Sequence, residues 1–235
     1  MSKLDFMYGG NIMIEAFIFD LDGVITDTAN YHYLAWKALG DKLGIKIDEE
    51  FNETLKGISR MESLERILIY GNKQNDFTVK EKEKMANDKN QYYVELIKNI
   101  SPKDILPGIE KLLKDIKSNN IKIGLASASK NATMVLENLG LKESFDFIAD
   151  ASKCKNSKPN PEIFLMAAKG LGINPINCIG VEDAIAGIDA INDANMYSVG
   201  VGDESSLGKA NIVFSDTNKL NFKYIVENYS CCSNC

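Results

Sequence analysis

The first apolar run of the chain covers residues 14–19 and ends at Asp20-Leu21-Asp22-Gly23. A short apolar run followed by polar residues and glycine predicts a buried strand that ends in a loop. Beyond residue 101, short apolar runs alternate with helical periodicity. The predicted strands are 121–126, 145–149, 178–181, 196–201 and 212–214, and the predicted helices are 108–119, 130–139, 160–171 and 184–194, with a last helix at the C-terminus. This alternation predicts an α/β fold built on a doubly wound parallel sheet.

Residues 28–99 interrupt the alternation with helical patterns alone. A helix is predicted at 29–43, and the capping boxes that begin at Ser59 and Thr78 each open a further amphipathic stretch. A helical block placed directly after the first strand predicts an α-helical cap domain inserted into the core domain.

The domain division follows from this insertion. The predicted core domain is 14–27 and 100–225, the predicted cap domain is 28–99, and the predicted extensions are 1–13 and 226–235. Two linkers, 25–28 and 99–107, would join cap and core side by side and form a hinge. Met13 is an alternative start of the chain.

The composition and the net charge argue against two classes of binding partner, membranes and nucleic acids. The chain has 235 residues, a formal net charge of −6 and 45% hydrophobic residues, which is typical of a folded globular protein. No apolar run approaches the ~20 residues that cross a bilayer, so we expect no membrane partner. The acidic balance argues against nucleic acid, because phosphate backbones require a basic surface. A small phosphorylated ligand needs only a local group of cations.

The five cysteines predict no disulfide framework. Cys154 and Cys178 are far apart, and Cys231, Cys232 and Cys235 lie together at the C-terminus. The N-terminus lacks the basic and apolar pattern of a secretion signal, so we expect free thiols and a cytoplasmic protein. The tail lacks a fourth ligand for a soft metal and the aliphatic pair of a prenylation box, and we expect it to be frayed.

Polar side chains follow four predicted strands, either directly or, for Lys158, in the loop after the strand. They are Asp20 and Asp22, then Ser127, Ser129, Lys130 and Asn131, then Lys158, and finally Glu182 and Asp183. In a doubly wound sheet, ligands bind at the carboxyl ends of the strands. Each motif alone has an ordinary explanation as a turn, a helix cap or a surface charge. Their shared placement predicts one active site.

Carboxylates that lie close together repel one another unless a cation lies among them. Mg²⁺ prefers oxygen ligands and commonly shares them with a phosphate, so Asp20, Asp22, Glu182 and Asp183 are predicted to form a Mg²⁺ site. A calcium loop is excluded, because its twelfth position is Tyr31 rather than Glu.

A phosphate bound beside this metal would meet the amine of Lys158, the hydroxyl of Ser127 and the start of the helix near Lys130. A carboxylate facing such a phosphate can attack the phosphorus and form an aspartyl-phosphate. A second carboxylate two residues further on can transfer a proton. The residues therefore predict phosphoryl transfer.

The cap carries a helical stripe of its own, because Thr28, His32 and Trp36 are spaced four apart. The stripe begins next to the first motif and faces back toward it. His32 and Trp36 are either packing residues between helices, or residues that contact a sugar and help to place Asp22. Gly57 permits a cap loop to approach the crevice closely.

These motifs resemble those of the haloacid dehalogenase superfamily. Its four motifs correspond to Asp20-Leu21-Asp22-Gly23, Ser127, Lys158-Pro159 and Gly180-Val181-Glu182-Asp183, and the resemblance covers residues 14 to about 225. Longer strings, at 20–28, 31–39, 55–60 and 126–131, resemble the superfamily's mutase branch, which acts on hexose phosphates. The resemblance implies the superfamily's Rossmann-like core with an inserted cap.

The resemblance also implies roles for individual residues. Asp20 would be the nucleophile and Asp22 the general acid and base. Mg²⁺ would be held by the Asp20 carboxylate, the Asp22 carbonyl and Asp183, with Glu182 adjacent. The remaining catalytic candidates are Thr28, His32, Ser127 and Lys158, and the substrate-binding candidates are Trp36, Leu55, Lys56, Gly57, Ser59, Arg60, Lys89, Ser129, Lys130 and Asn131. Among these, Arg60 and residues 129–131 would hold a second phosphate.

The implied reaction is the interconversion of beta-D-glucose 1-phosphate and glucose 6-phosphate by a monomer, through beta-glucose 1,6-bisphosphate. Closure of the cap would exclude water and so favour transfer to the sugar. A sugar-phosphate or phosphoglycolate-type phosphatase on the same scaffold is the alternative enzyme. A phosphate sensor without enzymatic activity is disfavoured, because it would need neither Asp22 nor the cap.

Overall fold

The computed structural model describes residues 14–232. The predictions for residues 1–13, including Met13, and for Cys235 lie outside the described residues. Cys231 and Cys232 form the end of the last helix. Among residues 14–232, no helix combines the length and the apolar composition that are needed to cross a bilayer.

A six-stranded parallel sheet forms the centre of the core, in the order β3-β2-β1-β4-β5-β6. The strands are β1 (Ala16–Phe19), β2 (Lys122–Leu125), β3 (Phe147–Ile148), β4 (Cys178–Glu182), β5 (Tyr197–Val201) and β6 (Ile212–Phe214). Phe19 at the end of β1 pairs with Leu125 and Val181 on its two neighbours, so these three strands end together. The chain adds β2 and β3 on one side of β1 and then crosses to add β4, β5 and β6 on the other side. This reversal of strand order opens a crevice at the end of β1.

The first four helices after β1 build the cap. They are α1 (Ala29–Leu43), α2 (Glu49–Glu53), α3 (Arg60–Tyr70) and α4 (Val79–Leu96). Their apolar sides form a hydrophobic cluster of their own, which includes Trp36, Leu64 and Leu68. The sequence pattern predicted this helical insertion, although the short helix α2 was not among the predicted elements.

The remaining helices cover the two faces of the sheet. They are α5 (Ile109–Ser118), α6 (Ala132–Asn138), α7 (Glu162–Leu171), α8 (Ile185–Asp193), α9 (Glu204–Leu207) and α10 (Phe222–Cys232). Alternate residues of β1 enter different clusters: Phe17 and Phe19 pack on one face, and Ala16 and Ile18 on the other. The alternation follows from the pleat of the strand, and it confirms the predicted doubly wound α/β fold.

The linkers between cap and core pair with each other. Thr26 forms an isolated bridge with Ile105, and its hydroxyl donates to the Asp104 carbonyl at 2.8 Å. The backbone N–H of Leu106 donates to the Ile25 carbonyl at 2.9 Å. The two connections therefore leave the core as one paired segment, which suits a hinge.

Several element ends differ from the predictions, and two of these differences have a clear structural cause. Helix α10 continues past residue 225, and Tyr229 is buried against the sheet, so residues 226–229 are part of the core rather than an extension. Helix α6 begins at Ala132 instead of residue 130, because the Ser129 hydroxyl accepts a hydrogen bond from the Asn131 N–H and holds a turn there.

The two predicted capping boxes have different outcomes. Thr78 and Glu81 form the complete box, with hydrogen bonds in both directions. Ser59 accepts from the Glu62 N–H at 3.3 Å, but the Glu62 carboxylate turns toward Arg66 and Ser157 instead of back to the Ser59 N–H. The contact between Glu62 and Ser157, outside the helix, has replaced the hydrogen bond that the Glu62 carboxylate would accept from the Ser59 N–H.

Candidate active site

The strand ends deliver the predicted groups to one place. Lys158 lies between two carboxylates, with its Nζ atom 2.6 Å from Asp20 Oδ1 and 2.7 Å from Glu182 Oε2. All three side chains are buried. Burial alone would lower the pKa of Lys158, but the charges of Asp20 and Glu182 raise it above its usual value. Lys158 is therefore a fixed cation.

Glu182 holds Lys158 in position. Its second oxygen, Oε1, accepts from the backbone N–H groups of Asp183 and Ala184, both at 3.2 Å. Burial raises the pKa of Glu182 well above its usual value, against the opposing charge of Lys158. Both oxygens of Glu182 are thus engaged within the protein.

Three carboxylates could hold a cation. One oxygen each from Asp20, Glu182 and Asp183 lie within 4.8 Å of one another. Burial, and after it the charge of Asp20, raises the pKa of Asp183 to about 7. A set of hard oxygen donors under mutual repulsion fits Mg²⁺.

Gly23 makes room for this group. Its φ angle is +76°, and a Cβ atom at this position would lie 2.0 Å from Asp183 Oδ2. Glycine is required here both for the left-handed backbone and for the close approach of the carboxylate.

Asp22 is tied to the junction of core and cap. Its backbone N–H donates to Asp20 Oδ2 at 3.0 Å, and its Oδ1 atom accepts a hydrogen bond from the hydroxyl of Thr28. Burial, together with the charge of Asp20, raises the pKa of Asp22 to about 8. At neutral pH its carboxyl group can carry the proton that a departing alcohol needs.

A chain of hydrogen bonds follows β2. Ser127 Oγ accepts from the Ser129 N–H at 3.1 Å, and Ser129 Oγ accepts from the Asn131 N–H at 3.2 Å. The Asn131 side chain donates to Asn90 Oδ1 of the cap at 2.7 Å. Ser127 is buried and lines the same cleft as Asp20, whereas Lys130 is exposed.

The cap contributes His32 and Lys89 to the opposite wall. Lys89 Nζ lies 2.9 Å from His32 Nδ1 and 4.3 Å from the centre of the Trp36 ring. The His32 ring is stacked on Tyr93, with 4.0 Å between ring centres. Burial, together with the charge of Arg60, lowers the pKa of Lys89 to about 7. Burial, and after it the charges of Lys89 and Arg60, lowers the pKa of His32.

The loop before α3 supplies the remaining cap residues. Leu55 is buried in the cap cluster, Lys56 pairs with Glu53 at 2.7 Å, and Ser59 caps α3. Burial lowers the pKa of Arg60, which is half-buried at the start of α3. Gly57 has a φ angle of +73°.

These residues surround a cleft of about 1530 Å³ between cap and core. It is lined by all the predicted catalytic, binding and metal residues except Thr28 and Glu182, which lie behind the lining and hold Asp22 and Lys158. Trp36 both lines the cleft and packs in the cap cluster, so the two readings of this residue are compatible.

Sequence reasoning missed four residues at the site: Glu62, Asn90, Tyr93 and Ser157. Two of them directly follow or precede a predicted residue, Asn90 after Lys89 and Ser157 before Lys158. No spacing rule marks them, because their contacts join segments that are far apart in the chain.

A Rossmann-like sheet with an aspartate pair after its first strand and a buried lysine defines a class of phosphotransferases. The family model of the haloacid dehalogenase-like hydrolases matches residues 14–195. The beta-phosphoglucomutase of Bacillus subtilis is 46% identical over 216 residues, which is 92% of this chain and 96% of that protein. A phosphorylated carbohydrates phosphatase of Thermotoga maritima is 30% identical over 200 residues, 84% of this chain and 89% of that protein.

Among solved structures, the beta-phosphoglucomutase of Clostridium difficile superposes with a TM-score of 0.94 and 67% identity, over 95% of this chain and 100% of that chain. The chain belongs to the haloacid dehalogenase-like hydrolase family. The predicted resemblance to its mutase branch is confirmed by the similarity to these two beta-phosphoglucomutases.

Proposed function

We propose that this enzyme interconverts beta-D-glucose 1-phosphate and glucose 6-phosphate, with Mg²⁺ as its cofactor and beta-glucose 1,6-bisphosphate as the intermediate. The similarity to two beta-phosphoglucomutases supports this substrate pair. The observation that carries the mechanism is the hydrogen bond from Thr28 to Asp22, because it links the proton-transfer group to the first residue of the cap.

Asp20 is the nucleophile of the proposed reaction, and it alternates between a free carboxylate and an aspartyl-phosphate. In one half-reaction the 6-hydroxyl of glucose 1-phosphate attacks the phosphorus on Asp20. The bond between phosphorus and the Asp20 oxygen breaks, and Asp22 takes the hydroxyl proton. The product is the bisphosphate.

The second half-reaction uses the same groups after the bisphosphate has turned around. Asp20 attacks the phosphorus at position 1, and the bond to the sugar oxygen breaks. Asp22 returns its proton to that oxygen, so glucose 6-phosphate leaves and the phosphorylated enzyme is restored. The raised pKa of Asp22 suits both directions of this proton transfer.

Lys158, Ser127 and the metal would stabilise the negative charge on the transferring phosphoryl group. Lys158 is a buried cation next to the nucleophile, and it would neutralise oxygens of the transferring phosphoryl group together with the Ser127 hydroxyl. Asp20, Asp183 and the Asp22 carbonyl would hold Mg²⁺, which would supply further positive charge next to the same oxygens.

The second phosphate would bind on the far side of the cleft. Arg60 from the cap and Ser129, Lys130 and Asn131 from the core line the same cleft as Asp20. A guanidinium group matches the geometry of a phosphate. Because these residues belong to both domains, a bisphosphate bound here would hold the cap against the core.

One assay separates this proposal from a phosphatase. Purified enzyme with Mg²⁺, beta-glucose 1-phosphate and a trace of glucose 1,6-bisphosphate should form glucose 6-phosphate with little free phosphate. The alpha anomer and the Asp20→Asn variant serve as controls, and neither should yield product. Free phosphate without glucose 6-phosphate would contradict the mutase proposal and indicate a phosphatase.

The monomeric state and the cytoplasmic location stay predictions. Light scattering of the purified protein tests the first, and fractionation of cells that express it tests the second.

A further inference from the structure

Side-chain hydrogen bonds join cap and core on either side of the cleft. One runs from Asn131 to Asn90, and its core residue belongs to the proposed phosphate site. Another runs from the hydroxyl of Ser157, which precedes Lys158, to the carboxylate of Glu62 on α3. Neither Glu62 nor Ser157 has a role in the chemistry proposed above, so their contact requires another explanation.

The cap side of this contact is held firmly. Arg66 donates to Glu62 Oε1 at 2.8 Å and to the Thr54 carbonyl at 2.7 Å, which fixes the carboxylate on the cap. Glu62 also stands where a capping box would direct its carboxylate back to Ser59. Glu81 makes the equivalent local bond, at 2.8 Å to the Thr78 N–H. Glu62 faces the core instead.

The core side is equally well anchored. The Glu162 carboxylate at the start of α7 accepts from the backbone N–H groups of Lys155 and Asn156, at 3.0 and 2.9 Å. The Ser157 carbonyl accepts from the Asn160 N–H at 3.0 Å. Ser157 therefore lies on a braced loop, and Lys158 of the active site is its direct neighbour.

We propose that Glu62 and Ser157 are positioning residues that latch the cap over the active site and thereby decide whether the phosphoryl group passes to a sugar or to water. This inference rests on the proposed function, since only a mutase must protect its aspartyl-phosphate from water. A hydrogen bond to a charged carboxylate is stronger than a neutral one. Loss of the hydrogen bond between Ser157 and Glu62 should raise the population of the open cap about tenfold.

The first test measures water attack without any sugar. Enzyme phosphorylated on Asp20 by acetyl phosphate loses its phosphate when water attacks the phosphorus, the bond to Asp20 breaks and Asp22 takes a proton. We expect Ser157→Ala and Glu62→Ala to shorten the lifetime of the phosphorylated enzyme about tenfold. The double variant should lose no more than either single variant, because both remove the same contact. Ser157→Thr keeps a hydroxyl and should restore the lifetime.

Matched controls lie close by. Ser152 lines the cleft, but its hydroxyl bonds Asp150 within the same segment, and Glu65 pairs with Lys82 inside the cap. Ser152→Ala and Glu65→Ala should leave the lifetime unchanged. An equal effect of these controls, or an unchanged lifetime in both Ser157→Ala and Glu62→Ala, would overturn the latch.

The second test uses the substrate. With beta-glucose 1-phosphate, the ratio of free phosphate to glucose 6-phosphate should rise about tenfold in Ser157→Ala, and an unchanged ratio would count against the latch. Wild-type enzyme that forms no glucose 6-phosphate would instead refute the proposed function. The lifetime measurement would then still decide about the latch, so the two failures are distinguishable.

Discussion

Lys89 Nζ and His32 Nδ1 lie 2.9 Å apart in the wall of the cap that faces Asp22. Such a contact needs one donor and one acceptor, and a neutral imidazole accepts from a lysine amine. Burial lowers the pKa of both groups, and Arg60 adds a further positive charge nearby. Lys89 and Arg60 therefore place two like charges in a largely buried wall, and an anionic ligand bound there would reduce their repulsion.

Lys89 should make the stability of the protein dependent on pH. Its pKa is about 7 in the folded protein and about 10.4 in an unfolded chain. Between these values this group binds more protons in the unfolded state, so the part of the free energy of unfolding that Lys89 contributes rises with pH. From pH 7 to pH 9 the gain from this one group is about 2 kcal/mol. Asp22 and Asp183, whose pKa values are raised to about 8 and about 7, change the stability in the opposite direction over this range. The contribution of Lys89 is therefore measured as a difference between variants, by urea denaturation at both pH values.

The matched comparison uses two lysines of α4. The change in the free energy of unfolding from pH 7 to pH 9 should be about 2 kcal/mol less favourable in Lys89→Met than in the wild type. Lys84→Met, at an exposed position paired with Asp88, should show the wild-type change. A Lys89→Met protein that gains as much stability as the wild type would show that Lys89 is not the source.

Gly23→Ala should weaken Mg²⁺ binding. The added Cβ would overlap Asp183 Oδ2, so the carboxylate must move away from Asp20. We expect the affinity for Mg²⁺ to fall at least about tenfold, as measured by calorimetry. Gly44→Ala is the control, because Gly44 has a similar φ of +69° but no atom within 4 Å of the added Cβ. Equal losses in both variants would point to backbone strain alone.

The residues that the sequence predicted and those it missed differ in how they are positioned. Asp20 and Asp183 directly follow strands and Lys158 lies in the loop after β3, so the meeting of parallel strand ends already predicts that these residues lie near one another. The contact between Glu62 and Ser157 depends on the position of the cap over the core. A local pattern favoured a capping box for Glu62, and a tertiary contact prevailed over it.

The ends of two helices likewise depend on side-chain contacts that the local sequence pattern does not predict. Helix α6 begins at Ala132 because the Ser129 hydroxyl holds a turn before it. Helix α10 extends beyond residue 225 because Tyr229 is buried against the core. Both outcomes depend on side-chain partners that hydrophobic periodicity does not encode. The order of the strands and of the longer helices, in contrast, could be derived from periodicity alone, although the short helices α2 and α9 could not.

Asp22→Asn should separate the two halves of the chemistry. Acetyl phosphate has a good leaving group that needs no proton, so it should still phosphorylate Asp20. Transfer between Asp20 and a sugar hydroxyl should fall about 10²- to 10⁴-fold, because an amide cannot exchange the proton. Rapid-quench measurement of phosphorylated enzyme follows both steps.

Asp27→Asn is the control for this variant. Asp27 is an exposed aspartate near Asp22, and its side chain accepts from the Ala29 N–H at 3.0 Å, a bond that asparagine can keep. Its transfer rate should match the wild type. A normal transfer rate in Asp22→Asn would exclude Asp22 as the proton-transfer group.

Lys158→Met tests how much stability the buried cation supplies. Without it, Asp20 and Glu182 face each other in a buried site, and removal of one partner from a buried pair costs about 3 to 5 kcal/mol. Lys209 forms an ion pair of similar length with Asp189, at 2.8 Å, but its side chain is 70% exposed. Lys209→Met should cost less than about 1 kcal/mol. Urea denaturation at neutral pH compares the two.

The pH dependence of the Lys158→Met variant gives an independent check. The pKa of Glu182 is already raised by burial, and loss of Lys158 removes the charge that opposes this increase. The folded variant then holds a proton that the unfolded chain releases, so its stability falls as pH rises above the ordinary pKa of glutamate. The deficit relative to wild type should therefore be smaller at pH 5 than at pH 8. A deficit that stays constant would mean that lost packing, rather than uncompensated charge, destabilises the variant.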